Sequence, residues 1–373
     1  MFVSQLSLRD FRSYPVAEVS LEPGVSVFVG ANGQGKTNLV EAVNYIATLE
    51  SHRVASDAPL IRKGAQQAVI KAQIQAGVDD NRKLGVEIQI NEGRANKALV
   101  NRSPVRRMRD VLGSLRTVLF APEDLEIVKG DPATRRHFLD GLLVQRWPRL
   151  AGVRADYDKA LKQRNALLKS IAEGEGSAEL LPIYDEQAAR FGADILYHRL
   201  VVLGELNPML ATAYADIAPG SELAVASYKT STELPENPTQ AQVEEALLRR
   251  MDFRRPVELA RGLTLVGPHR DDLTLNLGEF PAKGYASHGE SWSYALALKL
   301  AAFELLKAEG MTPVLMLDDV FAELDETRRA SLAKTAAEAE QVLITAAVAS
   351  DVPEALGGRQ YLVEKGSVRA LQD

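Results

Sequence analysis

Eight consecutive residues, Gly30-Ala31-Asn32-Gly33-Gln34-Gly35-Lys36-Thr37, fit the phosphate-loop pattern G-x-x-x-x-G-K-[ST] without a gap. That pattern demands a strand before it and a helix after it. An apolar run, Val25-Ser26-Val27-Phe28-Val29, reads as a buried strand entering the loop, and a helical spacing through Leu39, Val43 and Ile46 leaves it. Polyphosphate then lies at a helix N-terminus, where unpaired N–H groups and the helix dipole favour an anion. Gly30, Gly33 and Gly35 let the backbone wrap closely, so that the main chain, Ala31, Asn32 and Gln34 included, turns N–H groups inward. Lys36 supplies a point charge to the β- and γ-phosphates, and the Thr37 hydroxyl is a Mg²⁺ ligand. The chain is read as binding a nucleoside triphosphate.

The rest of the composition narrows the setting. A chain of 373 residues allows two domains and a large core. No apolar run reaches the ~18 residues of a membrane span, and Met1 to Asp10 lacks a basic-then-apolar leader. Zero cysteines exclude disulfides and thiolate zinc sites and suit a reducing cytoplasm. A net charge of −6 does not advertise nucleic-acid binding, although one basic face on an acidic protein is compatible with it.

Strand patterns dominate up to about residue 125. Leu84, Val86, Ile88 and Ile90 alternate with mostly polar residues before the turn Asn91-Glu92-Gly93, which predicts an antiparallel subdomain with one solvated face. From Asp131, a candidate N-cap followed by Pro132, the pattern becomes helical past Trp147, from Tyr157 to Ile171, and from Tyr184 to Tyr214. Glu173 to Ser177 and Leu234 to Pro238 read as loops, the second followed by a short helix capped by Thr239. Strands are predicted again at Leu273–Leu277, Val314–Leu317 and Val342–Thr345, with a helix over Tyr294–Leu306. A nucleotide fold interrupted by a helical insertion results: 1–125 and 261–373 form the head, and 126–260 the insertion.

The strand Val314-Leu315-Met316-Leu317 ends in Asp318-Asp319. Paired with the phosphate loop, Asp318 is the candidate Mg²⁺ ligand with Thr37, and Asp319 the candidate general base. Glu323-Leu324-Asp325 follows, with Asp325 placed to cap the next helix. Ser287-His288-Gly289-Glu290-Ser291 opens the helix at Trp292. Ser287 with Glu290 makes a capping box; equally, this helix start, bare at Gly289, suits the γ-phosphate held by a second copy.

Together these stretches resemble the ATP-binding-cassette superfamily in its chromosome-maintenance branch. Further blocks are similar to the RecF family of bacterial recombinational-repair ATPases: Leu8 to Tyr14, Ser51-His52-Arg53, Phe120 to Leu125, Lys129-Gly130, Arg135-Arg136, Phe138 to Asp140, and Gly267 to Asp272. The resemblance implies an α/β fold, an ABC-type phosphate-loop ATPase head with an antiparallel β subdomain and an inserted helical arm. It implies slow ATP hydrolysis with Mg²⁺, ATP-held homodimers, binding to double-stranded and gapped or single-stranded DNA, and RecO/RecR-type mediators as partners. Lys36 and Asp319 become catalytic candidates, and Arg53, Ser287, Gly289 and Asp325 nucleotide-binding ones. Transporter cassettes, the alternative function, carry a histidine where this chain has Thr345 and a glutamine where it has Glu123-Asp124. Glu123 is therefore a second candidate for positioning water. A Cys-x-x-Cys hook for a long-armed break-repair ATPase is missing, and no separate metal-dependent nuclease domain is evident.

Between Arg94 and Arg116 the basic residues Lys97, Arg102, Arg106, Arg107 and Arg109 face one acid, Asp110. They are either a solvated face or a stripe of DNA phosphate contacts. Arg135, Arg136, Arg146 and Arg149 either extend the stripe or pair with Asp140, Asp156 and Asp158. A turn at Gly267-Pro268 accounts for His269, Asp271 and Asp272 more simply than a metal site does.

Overall fold

The computed structural model describes residues 1–371. The chain opens with β1 (Phe2–Phe11), β2 (Tyr14–Ser20) and β3 (Gly24–Val29), then α1 (Lys36–Thr48). Four strands follow, β4 (Gln67–Gln75), β5 (Lys83–Asn91), β6 (Lys97–Val100) and β7 (Ser103–Pro104), then β8 (Thr117–Phe120). Helices α2 (Leu125–Lys129), α3 (Pro132–Arg146), α4 (Leu150–Ala172) and α5 (Leu181–Ile217) lead to β9 (Ala224–Lys229) and α6 (Gln240–Arg261). After β10 (Asp272–Leu277), β11 (Phe280–Pro281) and the one-turn α7 (Ala282–Tyr285) comes α8 (His288–Lys307). The chain closes with β12 (Val314–Asp318), α9 (Glu326–Glu338), β13 (Gln341–Ala346), β14 (Arg359–Glu364) and β15 (Ser367–Ala370).

Two compact units divide it: 1–128 with 209–224 and 286–373, and 129–208 with 225–285. The first unit holds two six-stranded sheets. One is antiparallel, in the order β2-β1-β4-β5-β6-β7. Its β5 buries Val86, Ile88 and Ile90 on one face while the residues between them stay partly exposed, as a half-solvated strand requires. The other has the order β15-β14-β3-β13-β12-β8, parallel except for β15. Its central strands read as unbroken apolar runs because both faces are covered; all of β12 and β13 is buried.

The order β3-β13-β12 matters most for function. It sets the C-terminal end of β13 between the phosphate loop and the carboxylates that end β12.

The second unit is mainly helical, with a three-stranded sheet in the order β11-β10-β9. At its core the fully buried Arg164 binds Asp185 at 2.6 Å, Glu258 at 2.6 Å and Thr264 at 2.9 Å. This network ties α4, α5 and α6 together. Breaking such a pair costs about 3–5 kcal/mol, because the survivor stays buried and charged.

Three expectations need correction. The chain rejoins the first unit at Ala286, not near 261, and 209–224 also belongs there. The reason is β10: an alternating run names a strand, but only its pairing beside β9 says which sheet owns it. The helix after Thr239 is long, 22 residues, and carries Pro256 inside it. Thr239 caps it as expected, in a box with Gln242. The strand β9 had no legible signal.

Candidate nucleotide-binding site

The loop between β3 and α1 has the backbone that its glycines predict. Gly33 and Gly35 have φ of +80° and +113°, a region that costs side-chain-bearing residues steric strain. Space also decides. A Cβ on Gly35 would lie 2.7 Å from Ser13 Oγ and 2.9 Å from the Tyr14 hydroxyl, and one on Gly30 would collide with the Val363 carbonyl. Tyr14, fully buried, donates from its hydroxyl to the Gly35 carbonyl at 2.9 Å and pins the loop from the β1–β2 side. On the other side the Gln34 side chain accepts from the Lys365 backbone N–H at 2.8 Å. α1 has no acidic residue in its first turn, so its N-terminal amides face no competing carboxylate of their own.

Lys36 is buried, 3% exposed, with Nζ donating to the Gly30 carbonyl at 2.8 Å and lying 4.0 Å from Asp319 Oδ2. The Thr37 hydroxyl donates to Asp318 Oδ1 at 2.9 Å across 281 residues of sequence. Thr345, at the end of β13, donates to the same oxygen at 2.6 Å, and its Oγ1 accepts from the Asp319 N–H at 2.9 Å. One hydroxyl thus fixes both carboxylate residues. Asp319 has φ of +52°, which Asp and Asn tolerate better than most. Burial pushes the Asp319 carboxyl above the usual carboxylate range, with Lys36 opposing the shift.

Thr37 and Asp318 are both oxygen donors, the hard ligands that Mg²⁺ takes. They fit that ion, which would draw charge from the phosphates between them. Among the described residues no three acidic or histidine side chains gather into an all-protein metal cage, which is ordinary for a Mg²⁺ held with substrate phosphates.

The structure also brings in a residue that the sequence reading quoted without assigning. His52, directly after α1, places Nε2 3.8 Å from Asp318 Oδ2. Its neighbour Arg53, the residue singled out from the sequence, is exposed and donates to Asn38 Oδ1 at 3.2 Å on the surface of α1. No spacing rule marks His52, since its proximity depends on how the turn folds back over the sheet. Glu123 is exposed in the turn Pro122–Asp124, and its carboxylate has no hydrogen bond or ion pair.

Ser287, Gly289 and Asp325 form a second cluster in the same unit, with no hydrogen bond to the phosphate loop. The capping box forms: the Ser287 hydroxyl accepts from the Glu290 N–H at 3.2 Å, and Glu290 accepts from the Ser287 N–H at 2.8 Å. Asp325 caps α9 through the Arg328 N–H at 3.0 Å and also binds the Arg328 guanidinium at 2.6 Å. Arg328 reaches on to the Gly289 carbonyl at 3.0 Å and Ser293 at 2.9 Å, so one arginine clamps the start of α8 to the start of α9.

The basic residues separate into two kinds. Arg102, Arg106, Arg107 and Arg109 lie at and after the β6–β7 turn and take part in no ion pair; the first three are exposed. Arg116, by contrast, is buried against Glu309 at 2.8 Å. In the helical unit Arg136 donates to the Asp271 carbonyl at 2.7 Å, and the other three singled-out arginines pair with acids other than those named from the sequence. Arg135 takes Asp272 in a two-pronged bond, Arg146 takes Glu205, and Arg149 takes Asp194, while Asp140 binds Arg199 and Arg154.

The stretch Gly267–Asp272 is engaged with protein partners. Gly267 has φ of +129°, and the Tyr157 hydroxyl fills the space where its side chain would be. His269 Nδ1 meets that hydroxyl at 2.6 Å, and burial pushes the imidazole down to about 4. Asp271 accepts from the Tyr228 hydroxyl at 3.0 Å, and burial pushes it up to about 6. Arg270 donates to the Thr264 carbonyl at 3.1 and 3.2 Å.

Comparison with known proteins agrees with this geometry. The family described as RecF/RecN/SMC N terminal domain matches residues 2–363. The chain is 53% identical over its whole length to the DNA replication and repair protein RecF of Cutibacterium acnes, covering 99% of that protein. It is 55% identical to the protein of the same name from Streptomyces avermitilis, with both chains fully covered. A solved structure of the recombination mediator protein RecF-ATP in the RecFOR pathway superposes with a TM-score of 0.91 at 30% identity, over 100% of this chain and 98% of that one. An Smc head bound to the C-winged helix domain of ScpA shares the fold at 14% identity and a TM-score of 0.55. No helix among the described residues is long and apolar enough to cross a membrane.

Proposed function

The chain belongs to the RecF family, and on that premise we propose that it is an ATP-dependent DNA-binding protein of recombinational repair. In this reading it binds double-stranded and gapped or single-stranded DNA, pairs with a second copy when ATP is bound, and hydrolyses ATP slowly. RecO/RecR-type mediators are its partners in recombinase loading, and the cytoplasm is its compartment. The observation that carries the reading is the clasp of Thr37, Asp318 and Thr345, which joins the phosphate loop to the carboxylate strand through two hydroxyls on one oxygen.

The residues then divide the chemistry. The amides of Gly30–Thr37 and the Lys36 ammonium hold the phosphates. Thr37 and Asp318 hold Mg²⁺. Asp319 takes the proton of the attacking water, with Glu123 the alternative. Arg53 lies near the nucleotide on the surface of α1. Ser287, Gly289 and Asp325 serve the site of the opposite copy, and Arg102, Arg106, Arg107 and Arg109 contact DNA phosphates. Full-length identity to proteins named for DNA repair leaves no ground for the transporter-cassette alternative. Binding to a gapped duplex, measured with and without ATP beside an ATPase assay, tests the whole. Tighter binding with ATP and slow turnover are expected, and DNA binding indifferent to nucleotide would refute the reading.

Two variants test its parts. Replacing Arg106 and Arg107 together with alanine removes up to two phosphate contacts. The slope of log affinity against log salt on duplex DNA should flatten by up to about 1.8, with ATP binding intact. An unaltered slope makes these arginines a solvated face.

Ser287→Arg addresses the pairing. As a cap alone, Ser287 is worth about 1 kcal/mol of stability. In the pairing reading, a long side chain at this exposed helix start blocks the second copy while leaving Gly30–Thr37 untouched. The variant should bind ATP yet sediment as a monomer with a non-hydrolysable analogue. Mixed with Lys36→Ala it should assemble at most one complete site per pair. Wild-type dimerisation by Ser287→Arg would leave Ser287 a cap and nothing more.

A further inference from the structure

In the second unit, α6 buries Val243, Leu247 and Met251 in one core with Tyr157 of α4 and Leu196 of α5. Its second half also carries apolar residues on the outside. Phe253, Pro256, Val257 and Ala260 are all exposed, Phe253 to 70%. Their spacing of three, four and seven residues puts them on one helical face. A lone apolar residue at a surface is ordinary. A row of four at this spacing is the pattern by which helices anchor in one another. The Arg250 guanidinium lies 5.2 Å from the centre of the Phe253 ring, a cation–π contact that steadies the ring at the surface.

Charge selects the partner. Arg254 and Arg261, seven residues apart, flank one edge of the row and take part in no ion pair. The neighbouring charges are already used: Arg249 pairs with Glu245, and Arg255 with Asp185 at 3.0 Å and Asp252 at 3.3 Å. Glu258 is fully buried against Arg164. The face therefore presents apolar surface with positive charge to spare along one side. DNA phosphates would use the two arginines but leave the apolar row in water, whereas a protein partner covers both. We propose that this face of α6 docks an acidic amphipathic helix of a partner protein. The partner's apolar residues cover Phe253, Val257 and Ala260, and its carboxylates meet Arg254 and Arg261.

The probe is a fluorescent helical peptide of about five turns, with leucines at the same spacing and glutamates beside them, titrated by anisotropy against the full chain. It should bind saturably. Phe253→Ser combined with Val257→Ser should weaken it tenfold or more, with melting temperature and ATP affinity unchanged because both side chains are exposed. Arg254→Glu should weaken it about fivefold, and a peptide with lysine in place of glutamate should bind the unaltered chain about fivefold more weakly. No binding of the glutamate peptide overturns the proposal, as does binding indifferent to the serine pair or equal binding of the lysine peptide. Two further measurements separate other occupants. If the serine pair instead weakens binding of a single-stranded or duplex oligonucleotide, with peptide binding unchanged, the face belongs to nucleic acid. If the unaltered chain sediments as a dimer without nucleotide and the serine pair dissolves it, the face joins two copies. Either result overturns the proposal.

Discussion

Asp319→Asn is expected to slow ATP hydrolysis by about 10²–10⁴, the usual cost of losing a general base, while Mg²⁺-ATP stays bound. The substitution is the right one for this backbone. Asp319 sits at φ of +52°, which asparagine adopts with little strain, and its N–H bond to Thr345 Oγ1 does not involve the side chain. Asparagine therefore keeps the turn while removing the proton acceptor and its charge opposite Lys36. Burial already raises the Asp319 carboxyl above its ordinary range, which makes it a stronger base once ionised. Lys36, Thr37 and Asp318 remain to hold the nucleotide, so the variant should accumulate as an ATP-held pair. Single-turnover hydrolysis and sedimentation with ATP measure the two effects. Unchanged turnover would move the base elsewhere, with Glu123 examined first.

Lys36→Ala should abolish useful ATP binding. The ammonium is buried and donates to the Gly30 carbonyl at 2.8 Å and to Asn32 Oδ1 at 3.4 Å, with Asp319 4.0 Å away. No other cation of the loop takes its place. Loss of a charge-assisted contact of roughly 1.5–3 kcal/mol corresponds to about ten- to a hundredfold in affinity. Calorimetric titration with ATP, with melting temperature as the check on folding, reads it directly. Normal affinity would remove the phosphate-loop assignment and every role built on it.

Lys36 and Asp319 were legible in the sequence because their chemistry is local. A phosphate loop is one turn of backbone, so its glycines and its lysine must be neighbours in the chain. An apolar strand ending in two acids is likewise one contiguous run. The cap at Ser287–Glu290 and the cap at Asp325 were readable for the same reason, since a helix start needs its acceptor within three residues. The half-buried β5 declared itself through alternation.

Contacts between distant segments could not be read in this way. Thr345 appeared from the sequence only as the residue that replaced a histidine. In the fold it joins Asp318 to Asp319, because strand order places β13 between β3 and β12. Arg53 was singled out through the Ser51-His52-Arg53 resemblance, yet it is the adjacent His52 whose ring lies beside Asp318. Arg135, Arg146 and Arg149 found partners as far as 137 residues away instead of the acids nearby.

What the sequence by itself determined is therefore the local pattern: a phosphate-loop motif with its lysine, and a carboxylate pair ending a buried strand. Only the tertiary structure decided which strand separates them, which unit owns β10, and which histidine reaches the carboxylate. Periodicity reports which face of a segment is buried, whereas sheet order and turn closure depend on hydrogen bonds between segments hundreds of residues apart, to which no local pattern is sensitive.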